Sequence, residues 1–507
     1  MNIATSIQHS VIENDQIMAL CREDGKVFVD SNLTIHTASE SDIRRESLIN
    51  VINAVRNLKH GAEPDINLVG LEVITRALQE GFSDVDSTQK KGPGKNSETE
   101  VERRLKNILT MCLKKGASDI HILVKNHKTT IKIRVDGRMV PLMKDQSKDY
   151  GAELTSFIFS NYPGTEEPYS PLTPNAGGFT ERLSIDGENL RSWDWRSSLL
   201  PNNSAKDDTE CTKTTLRLLT PINDHVPTFE EMGMHIDHIK ILSNALNQPQ
   251  GGILMSGPTG SGKTTLGMAA LNMIPDHRSV NTLEDPPEWA LAGISQTRVD
   301  YGKNAKGDTR DFAFYGKVLL RQDPDVIYFG ELRDKKSAAE FAHLAESGHL
   351  LFGTTHTSSA TGIVTKLVDH LQVPRSVASS PDVFSVFTHQ RLVRTLCRKC
   401  SIPYAEAPEE KQELLTKGLG ENLGNCRVKN PDGCEHCTGG EKGRTLVMEV
   451  IEIEDLDRDF IAAGDALKWR RALLEKGWNP IQHYAREKVR EGVCDIESVA
   501  EQIKGLI

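Results

Sequence analysis

A glycine-rich loop constrains this chain more than any other stretch of its sequence. The nonapeptide GPTGSGKTT, residues 257–265, directly follows the apolar run 252–256 and precedes a predicted helix over 264–272. Glycines let backbone N–H groups close around phosphate oxygens, and a helix N-terminus adds partial positive charge. We therefore expect a nucleoside triphosphate to bind here, with Lys263 at the β- and γ-phosphates and Thr264 on Mg²⁺. The predicted nucleotide-binding residues are Gly257, Pro258, Thr259, Gly260, Ser261, Gly262, Lys263, Thr264 and Thr265.

Three further extended segments end in side chains suited to hydrolysis. SVNTLEDPPEW places Glu284 and Asp285 after an extended run, DVIYFGELRD places Glu331 after another, and HLLFGTTHT carries His356 near its end. Open α/β sheets bind ligands at the carboxyl ends of their strands, so these side chains are expected beside the phosphate loop. Gly330 stands where many proteins with such a loop carry an aspartate, which leaves Glu331 to contact Mg²⁺ or its water. Each acid could instead cap a helix, and His356 could be a structural polar residue.

Composition and charge narrow the possible functions. The 507 residues suffice for about three to four domains, and a net charge of −10 disfavours a sequence-independent nucleic-acid motor. The N-terminus lacks the basic and apolar segments of a signal peptide, and the sequence contains no run of 18 apolar residues. We therefore expect a cytoplasmic protein that reaches membranes through partners, with cysteines that hold metal or remain free thiols.

Two pairs of cysteines predict a structural metal site. Cys397-x2-Cys400 and Cys434-x2-Cys437 supply the four thiolates that close a tetrahedral Zn²⁺ site, and free thiols at coincidental spacing are the alternative. Possible substitute ligands outside these pairs are Cys426 and His436. The remaining cysteines are predicted to be small buried side chains: Cys21, Cys112, Cys211 and Cys494.

Changes of pattern divide the chain into segments. DSTQKKGPGKNSETE predicts a flexible linker, with an ordered surface loop as the alternative, and an α+β pattern follows it. Beyond residue 228, strands alternate with helices, as in a parallel doubly wound sheet. The predicted segments are an N-terminal partner-binding region at 1–85, the linker at 86–100, the α+β domain at 101–225, an α/β core at 226–396, the cysteine subdomain at 397–440 and a helical C-terminal part at 441–507.

Together these motifs resemble one family, the hexameric secretion ATPases of type II secretion and type IV pilus assembly (the GspE/PilB class). The similarity runs from about Ser118 to Cys437 and includes the segment LLRQDPDVI. The motifs that match the family's Walker A loop, Asp box, atypical Walker B segment and His box are GPTGSGKTT at 257–265, EDPPE at 284–288, GELRD at 330–334 and GHLLFGTTHT at 348–357. This resemblance implies a RecA-like P-loop ATPase core after a PAS-like α+β domain, with a small four-cysteine zinc subdomain and an N-terminal region.

The resemblance also implies roles for individual residues. Glu284 would be the general base that polarises the attacking water, Glu331 the Walker B glutamate, and His356 the His-box residue that senses the γ-phosphate. The segments ASDIHI at 117–122 and RVDG at 134–137 match signatures of the PAS-like domain.

In that family, the PAS-like domain supplies arginines to the nucleotide of an adjoining subunit. Arg196 in WRSSLLP and Arg217 in TLRLL match by position. The stretch NNSAKDDTECTK replaces a shorter turn of the family, which makes Arg191 the substitute for Arg196. Ordinary surface arginines are the alternative for both positions.

The function implied by the resemblance is that of a cytoplasmic, Mg²⁺-dependent homo-hexameric ATPase acting on an inner-membrane platform protein. Assembly and secretion members share the tetracysteine subdomain and a longer N-terminal region with this chain, whereas retraction members usually lack both. We therefore expect a motor that extends a type IV pilus or a secretion pseudopilus, with ATP, Mg²⁺ and Zn²⁺ bound and no nucleic acid. The rivals are a conjugation or nucleic-acid motor of RecA-like fold and a nucleotide-gated scaffold without turnover.

Overall fold

The computed structural model of the chain forms two compact units, residues 1–97 and 98–507. The structure describes residues 27–30, 32–37, 46–59, 62–68, 99–162, 167–185, 189–202, 211–219, 225–303, 309–381 and 383–507, with single positions 14, 17, 20, 21, 74, 187 and 307. The predicted linker lies outside these residues except for its last two positions. Thr99 and Glu100 already belong to the cap and first turn of a helix.

The first unit contains a small three-stranded sheet. Strand β2 pairs antiparallel with β1 and parallel with β3, and one helix carries apolar side chains into a shared core. Its elements are β1 (Val27–Val29), β2 (Ile35–Thr37), α1 (Glu46–Leu58) and β3 (Ile66–Leu68). Partner binding by this region stays a prediction.

The second unit begins with an α+β domain built on an antiparallel sheet. The strand order is β6-β5-β4-β9-β8-β7, and alternate side chains of each strand enter a core with both helices. Helix α2 starts at Glu100 because the Thr99 hydroxyl accepts the Glu102 N–H at 3.2 Å. The elements are α2 (Glu100–Lys114), β4 (Ala117–Val124), β5 (Thr129–Val135), β6 (Arg138–Pro141), α3 (Lys148–Asn161), β7 (Asn175–Leu183), β8 (Arg191–Pro201) and β9 (Thr212–Leu218).

The remainder of the unit is built on a seven-stranded sheet in the order β12-β11-β13-β14-β10-β15-β18. The first six strands are parallel and the last is antiparallel, so the carboxyl ends of β11, β13, β14 and β10 lie side by side. The elements are α4 (Ile236–Leu246), β10 (Gly251–Ser256), α5 (Lys263–Leu271), β11 (Val280–Glu284), β12 (Ser295–Arg298), α6 (Phe312–Leu319), β13 (Val326–Phe329), α7 (Lys335–Glu346), β14 (Leu350–Thr355), α8 (Gly362–Thr365), α9 (Arg375–Ala378), β15 (Phe384–Leu396) and β18 (Glu441–Glu452).

The cysteine subdomain is the long connection between antiparallel strands β15 and β18. It contains β16 (Ile402–Pro403), α10 (Glu409–Leu419) and β17 (Arg427–Val428), and its apolar residues share a core with the last helices of the chain. The C-terminal helices are α11 (Asp455–Ala463), α12 (Ala466–Glu475), α13 (Ile481–Arg490) and α14 (Ile496–Ala500). Within the described ranges, no helix is both long and apolar enough to cross a membrane.

Candidate active site

The phosphate loop joins the central strand β10 to helix α5 through glycines that adopt positive φ angles. Gly257, Gly260 and Gly262 have φ angles of 154°, 78° and 85°. A side chain at Gly257 would place its Cβ 2.5 Å from the Ser261 Oγ and 2.6 Å from the Gln390 carbonyl oxygen. The helix begins at Lys263, one residue before the predicted start. The loop therefore depends on glycine both for its backbone angles and for its close approach to β15.

Lys263 points into the loop and is almost completely removed from solvent. Its Nζ donates to the carbonyl oxygens of Gly257 at 2.9 Å and Pro258 at 3.1 Å, so the ammonium lies within the loop and bonds to its backbone. Burial lowers the pKa of Lys263 to about 8, and the negative charge of Glu331 only partly offsets that effect. The ammonium is thus held where phosphate oxygens would be its natural partners.

His356 connects the loop to the end of strand β13. Its Nδ1 lies 2.9 Å from the Gly257 carbonyl oxygen, and its Nε2 lies 3.0 Å from the Glu331 Oε1. Both ring nitrogens therefore face oxygens, one in the phosphate loop and one on Glu331. The structure brings Lys263, His356 and Glu331 together at the carboxyl ends of adjacent strands, as the sequence predicts.

Glu331 follows Gly330, which replaces the aspartate common at this position. A Cβ at Gly330 would lie only 3.1 Å from the Leu283 carbonyl oxygen on β11, so the close approach of the two strand ends favours glycine. The Gly330 N–H donates to that same oxygen at 2.8 Å, and the Thr354 hydroxyl donates to the Gly330 carbonyl at 2.5 Å. The acid at this strand end therefore comes from Glu331.

Arg333 is a site residue that the sequence analysis missed. Its Nε donates to the Glu331 Oε2 at 2.8 Å, and its Nη1 donates to the Asp285 Oδ2 at 3.0 Å. The guanidinium thus bridges the acids that follow β11 and β13. Its position inside the GELRD motif could have suggested a role in the site. The sequence spacing does not show which acids the arginine contacts.

Glu284 is the last residue of β11 and is buried. Its Oε1 accepts the Thr282 hydroxyl at 2.6 Å and the Gln296 Nε2 at 3.0 Å, so two neighbours fix the orientation of the carboxylate. Gln296 lies on β12 and was not predicted as a site residue. Glu284 lies at the same edge of the sheet as the phosphate loop, with β13 and β14 between β11 and the loop strand β10. Its role as a general base stays a prediction.

The two predicted arginines lie directly opposite each other on the exposed face of the antiparallel sheet. Arg196 on β8 pairs in register with Arg217 on β9, and the Arg217 Nε donates to the Asp119 Oδ1 at 2.8 Å. Arg191 lies five residues away, with its guanidinium stacked 4.7 Å above the Trp193 ring. Register therefore groups Arg196, and not Arg191, with Arg217.

The same arginines act on the EDPPE segment of their own chain. The Glu288 side chain reaches solvent but has many protein atoms around it. Loss of hydration near those atoms raises the pKa of Glu288, and the negative charge of Glu284 raises it further. The positive charges of Arg217 and Arg196 lower that pKa in turn. The exposed arginine face of the antiparallel sheet thus lies near the strand ends that carry the acids.

The two cysteine pairs converge on one point. Cys397 and Cys434 have Sγ atoms 3.7 Å apart, Cys400 and Cys437 have theirs 3.6 Å apart, and all four sulfurs lie within 4.8 Å of one another. Thiolates about 2.3 Å from a tetrahedral Zn²⁺ would be about 3.8 Å apart, so this donor set fits the metal. Among the described residues, neither Cys426 nor His436 belongs to the group.

The four other cysteines match their prediction. Each is buried in the structure, and burial raises the pKa of Cys112 and Cys494 to about 12. All four are therefore small buried side chains, and the raised pKa of Cys112 and Cys494 disfavours their thiolate forms.

Comparison with known proteins identifies the family of the chain. The sequence profile of the family described as "Type II/IV secretion system protein" matches residues 94–501. Type II secretion system protein E of Aeromonas hydrophila is 32% identical over 403 residues, which cover 79% of this chain and 75% of the relative. The type IV pilus assembly ATPase PilB of Pseudomonas aeruginosa is 30% identical over 441 residues, 86% of this chain and 72% of the relative.

Solved structures support the fold. The ATPase DotB of Yersinia pseudotuberculosis superposes with a TM-score of 0.54 at 18% identity, over 82% of this chain and 96% of that one. DotB of Legionella pneumophila gives 0.53 at 18% identity, over 81% and 97%. The chain therefore belongs to the type II/IV secretion system protein family and is a P-loop ATPase of the type II secretion and type IV pilus assembly class.

Proposed function

We propose that this chain works as a cytoplasmic homo-hexameric ATPase that powers assembly of a type IV pilus or a type II secretion pseudopilus. The observation that carries the proposal is the continuous set of contacts from Lys263 through His356 and Glu331 to Arg333. These contacts join the phosphate loop to the ends of β13 and β14. A nucleotide bound at the loop would therefore be connected by direct contacts to the ends of these strands.

The nucleotide would be held mainly by the loop 257–265 and the N-terminus of α5. Lys263 would exchange its two loop carbonyls for the β- and γ-phosphates, which are better partners for an ammonium than neutral oxygens. Thr264, in the first turn of the helix, and Glu331 would hold Mg²⁺, which supplies charge neutralisation at the phosphates. Both oxygens of Glu331 already have partners, so binding of the metal would loosen the contact with His356.

Hydrolysis needs a base and a group that responds to the γ-phosphate. We assign the base to Glu284, whose Oε1 is fixed by Thr282 and Gln296, leaving Oε2 to take the proton of the attacking water. We assign the sensing role to His356, because it already touches both the loop carbonyl of Gly257 and Glu331.

Arg217 and Arg196 would stabilise the negative charge that develops on the phosphates. An arginine finger contributes on the order of 10³–10⁵ in rate in P-loop enzymes. The family resemblance favours a contribution to an adjoining subunit, whereas the influence of both arginines on Glu288 favours their own chain. Mixing inactive variants distinguishes the two arrangements, as described in the Discussion.

The tetracysteine site would bind one Zn²⁺ in a structural role. Four protein thiolates leave no open coordination position for a substrate. The site would stabilise the long connection between β15 and β18, where Cys397 directly follows one strand and Glu441 begins the other. This subdomain and the N-terminal unit favour an assembly motor over a retraction motor, with an inner-membrane platform protein as its partner.

The enzymatic proposal is tested with purified full-length chain and Mg-ATP. We expect Lys263→Ala to abolish turnover and Glu284→Gln to bind ATP but lose about 10²–10⁴-fold in kcat. Glu346→Gln, an exposed acid at the end of α7, is the matched control and should retain wild-type kcat. Near-normal turnover by Glu284→Gln would rule out its role as base.

The cellular proposal is tested by deleting the gene and imaging surface pili while measuring secretion. We expect the deletion strain to lose surface pili or secretion. The wild-type gene should restore the lost property, and the gene carrying Glu284→Gln should not. Wild-type pili and secretion in the deletion strain would contradict it. A nucleic-acid motor would instead show ATP turnover stimulated by DNA or RNA. The net charge of −10 disfavours such a motor, because binding to nucleic acid depends on positive charge.

A further inference from the structure

A buried glutamate on β18 joins two segments that are distant in sequence. The Glu449 side chain is 1% exposed. Its Oε1 accepts the Ala360 N–H at 2.7 Å, and its Oε2 accepts the Ile481 N–H at 2.9 Å. Each carboxylate oxygen therefore binds a different segment of the ATPase domain.

The first of these segments carries the proposed sensor. Ala360 lies four residues after His356, in the turn that leads to α8, and its side chain is fully buried in the main core. Thr357 closes this turn, because its hydroxyl donates to the Ser359 carbonyl at 2.8 Å. His356 and the Ala360 N–H therefore lie at the two ends of one short ordered segment.

The second segment leads to the cysteine subdomain. Ile481 is the first residue of α13, where a backbone N–H has no partner within the helix. The buried face of α13, formed by Ile481, Ala485 and Val489, shares a core with Leu415 of α10 and Val428 of β17. The Glu449 carboxylate thus caps the N-terminus of α13, the helix that packs against the zinc-binding part of the chain.

The choice of a carboxylate is not explained by stability alone. Removing a carboxylate from water raises the pKa of Glu449, and the two backbone hydrogen bonds with the charge of Arg470 only partly oppose this. Glutamine would fill the same volume without the buried charge, yet it offers one carbonyl oxygen for two N–H donors. Glutamate is the residue that satisfies both segments at once.

We propose that Glu449 is a positioning residue that couples the segment carrying His356 to helix α13, so that nucleotide binding alters the support of the cysteine subdomain. The inference rests on the proposed function, because it takes His356 as the group that responds to the γ-phosphate. It extends the proposed function, because nucleotide binding would affect α13 and the adjoining zinc subdomain through the Glu449 side chain.

The test is hydrogen–deuterium exchange of the full-length chain with and without a non-hydrolysable ATP analogue and Mg²⁺. In the wild type, the analogue should slow exchange in the loop 257–265 and change exchange in α13. Glu449→Gln should keep the loop response and lose the α13 response, with kcat about tenfold lower and KM for ATP within about twofold. Glu452→Gln, an exposed acid on the same strand, is the matched control and should behave as the wild type.

A second pair of variants tests the same link without changing Glu449. Ile481→Pro removes the N–H that Glu449 accepts and also replaces the buried isoleucine side chain. Proline is accommodated at the first position of a helix, and the preceding Pro480 is already extended. Ile481→Ala shortens the same side chain but keeps the N–H. We expect Ile481→Pro to lose the α13 response and Ile481→Ala to retain it.

The outcomes separate the two proposals. A normal α13 response in both Glu449→Gln and Ile481→Pro, with unchanged kcat, would overturn the role of Glu449 and leave the proposed function intact. Absence of any protection at the loop in the wild type would overturn the proposed function, and the coupling with it.

Discussion

Raising the pH from 7 to 9 should weaken ATP binding through a single side chain, Lys263. In the nucleotide-free chain, burial lowers the pKa of this residue to about 8, and the nearby Glu331 carboxylate opposes the shift only in part. The charged ammonium is the form that binds phosphate oxygens, so nucleotide affinity follows the protonated fraction. Binding should therefore be strong below pH 8 and weaken as the pH rises through that value.

The magnitude follows from the pKa. A group with a pKa of about 8 is about 90% protonated at pH 7 and about 10% protonated at pH 9, so the Kd for ATP should rise about tenfold. That change corresponds to about 1.4 kcal/mol of binding free energy. Near pH 8, each nucleotide bound should take up about half a proton, because the phosphates raise the pKa of the ammonium again.

Isothermal titration calorimetry at pH 7, 8 and 9, in two buffers of different ionisation enthalpy, measures both the Kd and the proton uptake. The nucleotide adds little to the change, since the last phosphate ionisation has a pKa near 6, about two units below the middle of this range. Lys263→Arg is the control, because its guanidinium stays charged throughout and its Kd should not depend on pH in this range. Equal wild-type Kd values at pH 7 and 9, or a tenfold rise in Lys263→Arg as well, would refute the reasoning.

Two further predictions concern the metal and the ring. Purified chain should contain about one equivalent of Zn²⁺, and the Cys434→Ser/Cys437→Ser variant should lose it with a lower Tm, since metal binding contributes folding energy; full zinc with unchanged Tm would exclude the site. If Arg217 acts across a subunit boundary, mixed rings of inactive Lys263→Ala and inactive Arg217→Ala chains should regain ATPase activity, because some interfaces combine the intact half of each. No recovery, with hexamers confirmed by light scattering, would argue against a role of Arg217 in the site of an adjoining chain.

The parts of the site that the sequence predicts are those defined by local geometry. A phosphate loop needs its glycines and lysine within nine consecutive residues, and apolar runs that end in Glu284, Glu331 and His356 locate strand ends. The order of the strands in the sheet then brings those ends together. Local pattern was sufficient to place these residues at strand ends, because each position depends only on the strand that precedes it.

The contacts that the sequence did not reveal join residues far apart in the chain. Gln390 donates from β15 to the Ser261 carbonyl in the phosphate loop at 2.9 Å, across 129 positions, and Glu449 reaches Ala360 across 89. No spacing rule predicts such partners, because they depend on which strands become neighbours. The pairing of Arg196 with Arg217 was likewise undecided until the register of β8 and β9 was known.

The RVDG motif of the antiparallel domain acquires a role from its contacts with the start of β18. The Asp136 carboxylate accepts the Gly443 N–H at 2.8 Å. Arg138 contacts the buried Glu441 at 3.0 Å and Glu501 at 3.1 Å. The turn between β5 and β6 is therefore anchored to the first residues of β18, at the base of the zinc subdomain.

Arg394 extends this network inside the ATPase domain, because its guanidinium contacts both Glu441 at 2.8 Å and Glu501 at 2.6 Å. Strand β18 thus carries the contact to the antiparallel domain at its beginning and the contact to the His356 segment at Glu449. Glu441 is buried, whereas Arg138 keeps about a third of its side chain exposed, so the contact between the antiparallel domain and β18 is a partly buried ion pair. Under the coupling proposed for Glu449, these contacts on β18 would connect the His356 segment to the arginine-bearing domain within one chain.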